Sequence, residues 1–185
     1  MESIRVGDLM IPVEKYSTIA DTATLYDAVL KLEESERDYE AGKCPHRALL
    51  VKGSSGEIIG KMGRIDVLRS LEPKYTELGE LRKVSGFGLS AEFLKSVMDK
   101  FELWETPLDD LCRKAGDLNV GDIVSSPLEG ETVDVGETLN RAVHQIILGH
   151  HQSLLVTSGS KVVGILRLVD VFDEITKRIK LCKNQ

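Results

Sequence analysis

Apolar and polar positions along this chain follow the same order of spacings twice. A strand pattern, an amphipathic helix pattern, two further strand patterns and a closing helix pattern fill residues 16–71, and the same order recurs in residues 131–180. In the first stretch, strands are predicted over residues 16–19, 47–51 and 57–62, with helices from residue 25 and over residues 64–71. In the second, strands are predicted over residues 131–135, 153–157 and 161–166, with helices over residues 139–148 and 169–180. The patterns therefore predict an α/β (α+β) fold built from two βαββα repeats.

Local signals fix several boundaries of these elements. Thr24 precedes the first helix and Asp27 follows three residues later, which predicts a capping box. The run Gly53-Ser54-Ser55-Gly56 between two strand patterns predicts a hairpin turn. Gly149 predicts the end of the helix that begins at Leu139.

Residue identities support the duplication that the spacings predict. Four pairs of segments match in chain order: 6–10 with 120–124, 25–29 with 139–143, 46–51 with 151–156, and 58–60 with 162–164. The first pair reads Val-Gly-Asp-Leu-Met and Val-Gly-Asp-Ile-Val, and Asp66 and Asp170 occupy equivalent places after the last pair. The chain thus contains an internal repeat.

The segment between the repeats is too apolar for a flexible linker. Ser90 can cap a helix in which residues 94, 97, 98 and 101 are apolar at helical spacing. Thr106-Pro107 predicts the cap and first position of a second short helix, which Gly116 ends. We expect repeat 1 in residues 1–72, a helical insertion in 73–118 and repeat 2 in 119–185, together forming one compact module.

Composition narrows the class of protein. Apolar residues make up 42% of the chain and charged residues 29%, as in ordinary globular proteins. The net charge of −6 disfavours a general nucleic-acid or anionic membrane surface. No run of about 18 apolar residues or signal-peptide core occurs in the sequence. Three widely spaced cysteines favour reduced thiols, so we expect a cytoplasmic protein that contacts neither nucleic acid nor membrane.

Common enzyme signatures are missing from the sequence, including the glycine-rich nucleotide loops and the HExxH and GxSxG motifs. His46 and His151 are equivalent in the two repeats and, with His150 or Cys44 nearby, could form a metal site, but histidines at strand starts are more often polar edges. We therefore expect no catalytic residues, no metal and no enzyme activity. A hydrolase that uses Cys44 or a histidine is the remote alternative.

The repeated motifs resemble a tandem pair of CBS (cystathionine-β-synthase-type) domains. The resemblance covers about residues 4–72 and 118–180, and it rests on the Val-Gly-Asp segments, the helix starts, the Leu-Leu-Val strands and the Gly…Asp turns in the same order twice. The family implies two repeats packed with pseudo-two-fold symmetry, two clefts between them that bind adenosine derivatives, and frequent homodimers. It also implies a regulatory role.

Transferred to this sequence, the resemblance predicts that Asp66 and Asp170 bind the ribose hydroxyls. One carboxylate can accept both hydroxyls of a diol, and the first turn of a helix stabilises its charge. Gly60 and Gly164 would allow the nucleoside to approach the backbone closely.

The predicted phosphate contacts differ from the family pattern. The family often has Thr or Ser three residues before the aspartate, where this chain has Gly63 and Arg167. Arg167 can replace the hydroxyl as a bidentate donor to phosphate. Arg64 and Arg47 are further candidates. The second site is therefore predicted to be better equipped than the first.

Besides that remote hydrolase, three functions without catalysis remain open on sequence grounds. The leading hypothesis is a sensor of AMP, ADP or ATP that has no covalent cofactor and changes its dimer contacts, or its contacts with an unknown regulated protein, when ligand binds. The alternative is a ligand-free interaction or dimerisation module. Binding of S-adenosylmethionine is a remote alternative.

Overall fold

The helices and strands follow the predicted βαββα order in both repeats. The computed structural model describes residues 4–40, 48–72, 74, 96, 100, 103, 105–124, 126–127 and 130–183. The helices are α1 (Val6–Leu9), α2 (Leu25–Glu40), α3 (Arg64–Ser70), α4 (Leu108–Gly116), α5 (Val120–Ile123), α6 (Leu139–Gly149) and α7 (Leu168–Lys183), with a 3-10 turn at Val13–Lys15. The strands are β1 (Ile11–Pro12), β2 (Thr18–Ala20), β3 (Leu49–Lys52), β4 (Ile58–Met62), β5 (Thr132–Asp134), β6 (Ser153–Ser158) and β7 (Lys161–Arg167).

These strands form two sheets. One has the order β1-β7-β6-β5, in which β6 and β7 are antiparallel, β5 runs parallel to β6, and β1 lies antiparallel on the other edge of β7. The other has the order β2-β3-β4. The predicted hairpin turn between β3 and β4 is confirmed, because the Gly53 N–H donates to the Glu57 carbonyl at 2.8 Å.

Strands β6 and β7 are buried on both faces of their sheet. Leu154, Val156 and Leu166 belong to the core cluster that includes α6 and α7 side chains. Leu155 and Ile165 alternate with them and pack in a second cluster with Tyr16 and Leu50. This alternation is the period of two that a strand imposes on its side chains, and it means that β7, the strand before Asp170, is packed on both faces.

The chain divides into two compact units that cut across the sequence repeats. Unit 1 contains residues 1–18, 50–60 and 125–185, and unit 2 contains residues 19–49 and 61–124. Unit 1 therefore contains most of repeat 2 together with the opening segment and residues 50–60 of repeat 1, and unit 2 contains the rest of repeat 1 together with the segment that opens repeat 2. We call residues 4–10 and 118–124 the lead segments.

In unit 1, the first lead segment hydrogen-bonds to the start of α6. The N–H groups of Val6 and Gly7 donate to the carbonyls of Glu137 and Val135 at 2.9 and 3.0 Å, and the Leu139 N–H donates to the Ile4 carbonyl at 2.9 Å. Val6 is fully buried in the same core. The segment that opens repeat 1 thus completes the core around repeat 2.

In unit 2, the second lead segment repeats these contacts at equivalent residues. The N–H groups of Val120 and Gly121 donate to the carbonyls of Ala23 and Asp21, and the Leu25 N–H donates to the Leu118 carbonyl, each at 2.8 Å. Val120 is fully buried. The boundaries predicted at residues 72/73 and 118/119 are boundaries of the sequence repeats. Their use as domain boundaries stays a prediction.

The capping box at the start of α2 is confirmed. Asp27 accepts from the Thr24 N–H at 3.0 Å and from its hydroxyl at 2.7 Å, and the Asp27 N–H donates to the Thr24 hydroxyl at 3.1 Å. These hydrogen bonds to the ionised form lower the pKa of Asp27 below its ordinary value. The box therefore satisfies N-terminal donors of α2 and keeps a negative charge where the helix dipole favours it.

Predictions for the insertion are partly tested. Helix α4 ends at Gly116 as predicted, but its cap residue is Pro107, and the prediction that Thr106 caps it is wrong. Pro107 has extended backbone angles (φ −53°, ψ 138°), so the helix begins one residue later than expected. Within the predicted helix around residues 90–101, the structure describes residues 96 and 100, which are helical, and the other positions lie outside the described residues.

Helix α6 ends at Gly149 as predicted, but the left-handed residue is the next one, His150, at φ 50° and ψ 36°. This conformation destabilises a folded non-glycine residue by about 1–2 kcal/mol. Glycine avoids that cost, but the extra conformational freedom it loses on folding lowers stability by about 0.5–1 kcal/mol. We expect His150→Gly to raise the free energy of unfolding by about 0.5–1 kcal/mol, measured by urea denaturation. His144→Gly, in the interior of the same helix, is the control and should lower it. A destabilised His150→Gly variant would contradict this explanation.

Candidate functional site

The two predicted ribose carboxylates follow the last strand of each repeat. Strand β7 ends at Arg167 and helix α7 starts at the next residue, which places Asp170 in the first turn of α7. In the other copy, Gly63 separates β4 from α3 and Asp66 lies in the first turn. The predicted positions of both acids at helix starts are confirmed.

Asp170 is bound by Arg167 in unit 1. The Arg167 Nε lies 2.6 Å from Asp170 Oδ2, and its Nη2 donates to Oδ1, so the guanidinium and carboxylate form a two-pronged ion pair. The side chains are only 16% and 22% exposed, respectively. Such a pair is less screened by solvent than a surface salt bridge. The structure therefore brings together two of the predicted site residues.

Gly164 lies in a closely packed place on β7. A Cβ atom there would be 2.7 Å from the Ile11 carbonyl oxygen and 2.8 Å from the Met10 Sδ. The close approach of β1, which pairs Pro12 with Gly164, explains why glycine is required. A role for Gly164 in approaching a nucleoside stays a prediction.

Asp66 has different partners in unit 2. Its Oδ2 accepts the Gly63 N–H at 2.8 Å, and its Oδ1 lies 3.2 Å from Nη1 of Arg69, whose side chain is 41% exposed. The carboxylate therefore caps α3 on one side and meets a cation on the other. Arg69 was not among the predicted site residues, although its spacing of three residues from Asp66 on a helix would have indicated the contact.

The remaining predicted residues are spread over the chain. Arg64 forms an ion pair with Glu36 of α2, and Gly60 is buried in β4. Arg47, like His46 and Cys44, lies outside the described residues. The structure thus joins Arg167 to Asp170 but gives Arg64 a partner other than Asp66.

Two cavities lie near these elements. In unit 2, a cavity of about 590 Å³ between α2 and α3 is lined by Leu32, Glu36, Arg64 and Val67, among others. In unit 1, a cavity of about 340 Å³ is lined by Tyr16, Lys52, Glu57 and Lys161, among others. A hydrogen bond from the Ser55 hydroxyl lowers the pKa of Glu57, so this acid is charged at neutral pH. Neither Asp66 nor Asp170 lines either cavity.

Metal and membrane features are not found in the described part of the chain. Its His, Cys, Asp and Glu residues form no group of three or more that could hold a metal ion. Within those same ranges, no helix has the length and apolar composition needed to cross a membrane.

Comparison with known proteins confirms the predicted resemblance to CBS domains. Residues 120–177 match the family model of the CBS domain. No curated protein matches the sequence. The predicted tandem CBS fold is confirmed by solved structures, which match nearly the whole chain at low sequence identity.

Three of these structures illustrate the likeness. CBSX2, solved in complex with AMP, is 20% identical with a TM-score of 0.58, covering 95% of this chain and 98% of its own. AcuB from Vibrio cholerae is 14% identical with a TM-score of 0.59, covering 100% and 98%. A CBS domain-containing protein from Bacillus anthracis is 16% identical with a TM-score of 0.61, covering 94% of both chains. At these identities the structures establish the α+β fold with two small sheets.

Proposed function

We propose that this chain is a regulatory module that binds an adenine nucleotide (AMP, ADP or ATP) around Asp170. The observation that carries the proposal is the side-by-side placement of a carboxylate and a guanidinium at the start of α7, both only partly exposed. One structural neighbour, CBSX2, was solved with AMP bound. The proposed role is regulatory and not catalytic. The cytoplasmic location and an unidentified regulated partner stay predictions.

The two side chains divide the recognition of a nucleotide between them. The Asp170 carboxylate can accept the two hydroxyls of a ribose. The Arg167 guanidinium can donate two parallel hydrogen bonds to a phosphate. Phosphate would also lie near the positive end of the 16-residue helix α7. In the first copy, Gly63 offers no such donor, and we propose that Asp66 with Arg64 or Arg47 forms the weaker site.

Ligand-dependent stabilisation tests this proposal. We expect AMP, ADP or ATP at about 100 times its dissociation constant to raise the free energy of unfolding by about 2.7 kcal/mol, and the Asp170→Asn variant to lose this gain. Thermal melts followed by circular dichroism measure the effect. Asp66→Asn is the matched control and should retain most of the gain. Equal stabilisation of wild type and Asp170→Asn, or none by any of the three nucleotides, would refute the site.

A dimerisation module is the second candidate, and exposed apolar side chains favour it. Ile65 and Leu68 on α3 are 62% and 55% exposed, and the equivalent Val169 and Phe172 on α7 are 47% and 64% exposed. A second copy of the chain is the simplest partner, because an isologous interface requires a patch that meets its own copy. Ligand binding and dimerisation through these helices are compatible.

The oligomeric state separates the candidates. Light scattering with and without AMP should show a dimer whose dissociation constant depends on nucleotide if the chain is a sensor. A dimer that ignores every nucleotide would favour the ligand-free module.

A further inference from the structure

The cavity of about 340 Å³ in unit 1 is separate from the site at Asp170. Its lining residues all belong to unit 1 and come from four segments: the 3-10 turn, the start of β2, the hairpin between β3 and β4, and the start of β7. Asp170 follows the far end of β7, a strand of seven residues that spans roughly 20 Å. The volume is near the lower end of the range for ligand pockets, about 300–1,000 Å³. The cavity therefore fits a small metabolite at a place distinct from Asp170.

The floor of this cavity is apolar and belongs to the core of unit 1. Tyr16 is only 7% exposed and is a member of the second core cluster. Val13, Ile58 and Val162 also line the cavity, and they pack against the same cluster. The Tyr16 N–H donates to the Val13 carbonyl at 3.0 Å, which holds the turn against the core. A ligand gains affinity by covering this floor with an apolar group.

The rim of the cavity carries charges of both signs. It contains two lysines, Lys52 and Lys161, and two acids, Glu14 and Glu57, all four of them exposed. In the described part of the chain, no ion pair joins either lysine to either acid, so both signs of charge are available to a ligand. The Ser55 hydroxyl donates to the Glu57 carboxylate, which favours its charged form and holds it on the hairpin.

The internal repeat accounts for the opposite charges. The matched segments 58–60 and 162–164 are each preceded by a charged residue, Glu57 in repeat 1 and Lys161 in repeat 2. These equivalent residues line the same cavity, as do the apolar residues that follow them. A simple anion at this rim would meet two carboxylates and a simple cation would meet two ammonium groups, and like charges that meet disfavour binding. The rim therefore favours a ligand that carries both signs of charge.

We propose that this cavity binds a free α-amino acid with an apolar side chain, as a second ligand site of the chain. The carboxylate of the amino acid pairs with Lys52 and Lys161, its ammonium group pairs with Glu14 and Glu57, and its side chain covers the apolar floor. Each pairing is a charge-assisted hydrogen bond, which is stronger than one between neutral groups. The inference does not rest on the proposed nucleotide function, because Asp170 does not line the cavity.

Calorimetric titration with L-leucine and two analogues tests the need for both charges. Isocaproate has the same apolar chain and carboxylate but no ammonium group, and isoamylamine has the ammonium group but no carboxylate. We expect L-leucine to bind at least about 10-fold more tightly than either analogue, the effect of one or two charge-assisted hydrogen bonds. Equal binding of L-leucine and isocaproate, or no binding of L-leucine, would overturn the proposal.

Single substitutions assign each charge of the ligand to its partner. Glu57→Gln should weaken L-leucine by about 5- to 10-fold and leave isocaproate unchanged, because isocaproate has no ammonium group to lose. Lys161→Gln should weaken L-leucine to a similar extent and leave isoamylamine unchanged. Lys180→Gln, which changes an exposed lysine of α7 outside the cavity, is the matched control and should bind all three compounds as wild type does. L-leucine binding that neither cavity variant weakens would contradict the assignment.

The Asp170→Asn variant separates this inference from the nucleotide proposal. It should bind L-leucine with wild-type affinity, whether or not it loses the stabilisation by nucleotide. Loss of L-leucine binding in Asp170→Asn would place the amino acid at α7 and overturn the cavity assignment. AMP binding without L-leucine binding in the wild-type protein would refute the amino acid site and leave the nucleotide proposal standing.

Discussion

Removal of residues 1–10 is expected to unfold unit 1, although these residues open the first repeat. They contribute three backbone hydrogen bonds to the start of α6, worth about 1 kcal/mol each, and bury Val6, worth about 2 kcal/mol. This loss is comparable with the total stability of about 5–15 kcal/mol that most domains have. Urea unfolding followed by circular dichroism should show loss of the cooperative transition of unit 1. An unchanged midpoint would contradict the assignment.

A matched pair of point variants locates the effect. Val6 and Val120 are equivalent in sequence and both fully buried, one in each unit. Each valine-to-alanine change should lower stability by about 2 kcal/mol, since it removes about two methylene equivalents. In hydrogen exchange, Val6→Ala should deprotect α6 amides first and Val120→Ala should deprotect α2 amides first. The reverse pattern would show that each lead segment stabilises its own repeat.

The second large effect is expected from Leu166→Ala on β7. Leu166 is fully buried and packs in the core cluster with Val6, Leu154 and Val171. Its loss leaves a cavity between a central strand and two helices, where rigid neighbours restrict collapse, so we expect a destabilisation of about 2–5 kcal/mol. Urea denaturation measures this change.

The same substitution at an exposed position is the control for this prediction. Leu181 on α7 is 66% exposed, and Leu181→Ala should change the free energy of unfolding by less than about 0.5 kcal/mol. Equal effects of the two substitutions would show that the β7 core does not dominate the stability of unit 1.

The sequence predicted those features of the fold that depend on local spacing. The strands β6 and β7, the Thr24–Asp27 capping box and the turn at residues 53–56 all depend on a few neighbouring residues, so their patterns are visible in the chain. The strand β1 was missed because two residues are too few to show a period.

The contacts of the lead segments could not be predicted in the same way. They are backbone hydrogen bonds between residues far apart in sequence, which require no particular side chains. The repeated glycines are a sequence feature that reflects these contacts. A Cβ at Gly7 would lie 2.9 Å from Val135 Cγ2, and one at Gly121 would lie 3.2 Å from the Asp21 carbonyl oxygen. The repeated Val-Gly-Asp motif is therefore explained by close packing.

The sequence predicted where the acids of the candidate site lie, but not which side chains pair with them. The repeat placed Asp66 and Asp170 correctly, because each acid follows a recognisable strand pattern. The ion pair between Arg167 and Asp170 was not predicted, because the sequence was interpreted with both groups directed at a ligand. A partly buried carboxylate binds the nearest cation that can reach it, and a spacing of three residues on a helix start provides one.

Each lead segment packs on the repeat that it does not open, and this exchange limits which changes each half of the chain can tolerate. A half that lost its binding chemistry would still be retained by selection, because its opening residues fill the core of its sibling. A change at a predicted ligand position such as Gly63 leaves the backbone contacts of the lead segments in place, whereas deletion of that half removes them. The duplication thus makes each half a structural part of the other, whatever ligand chemistry either half has.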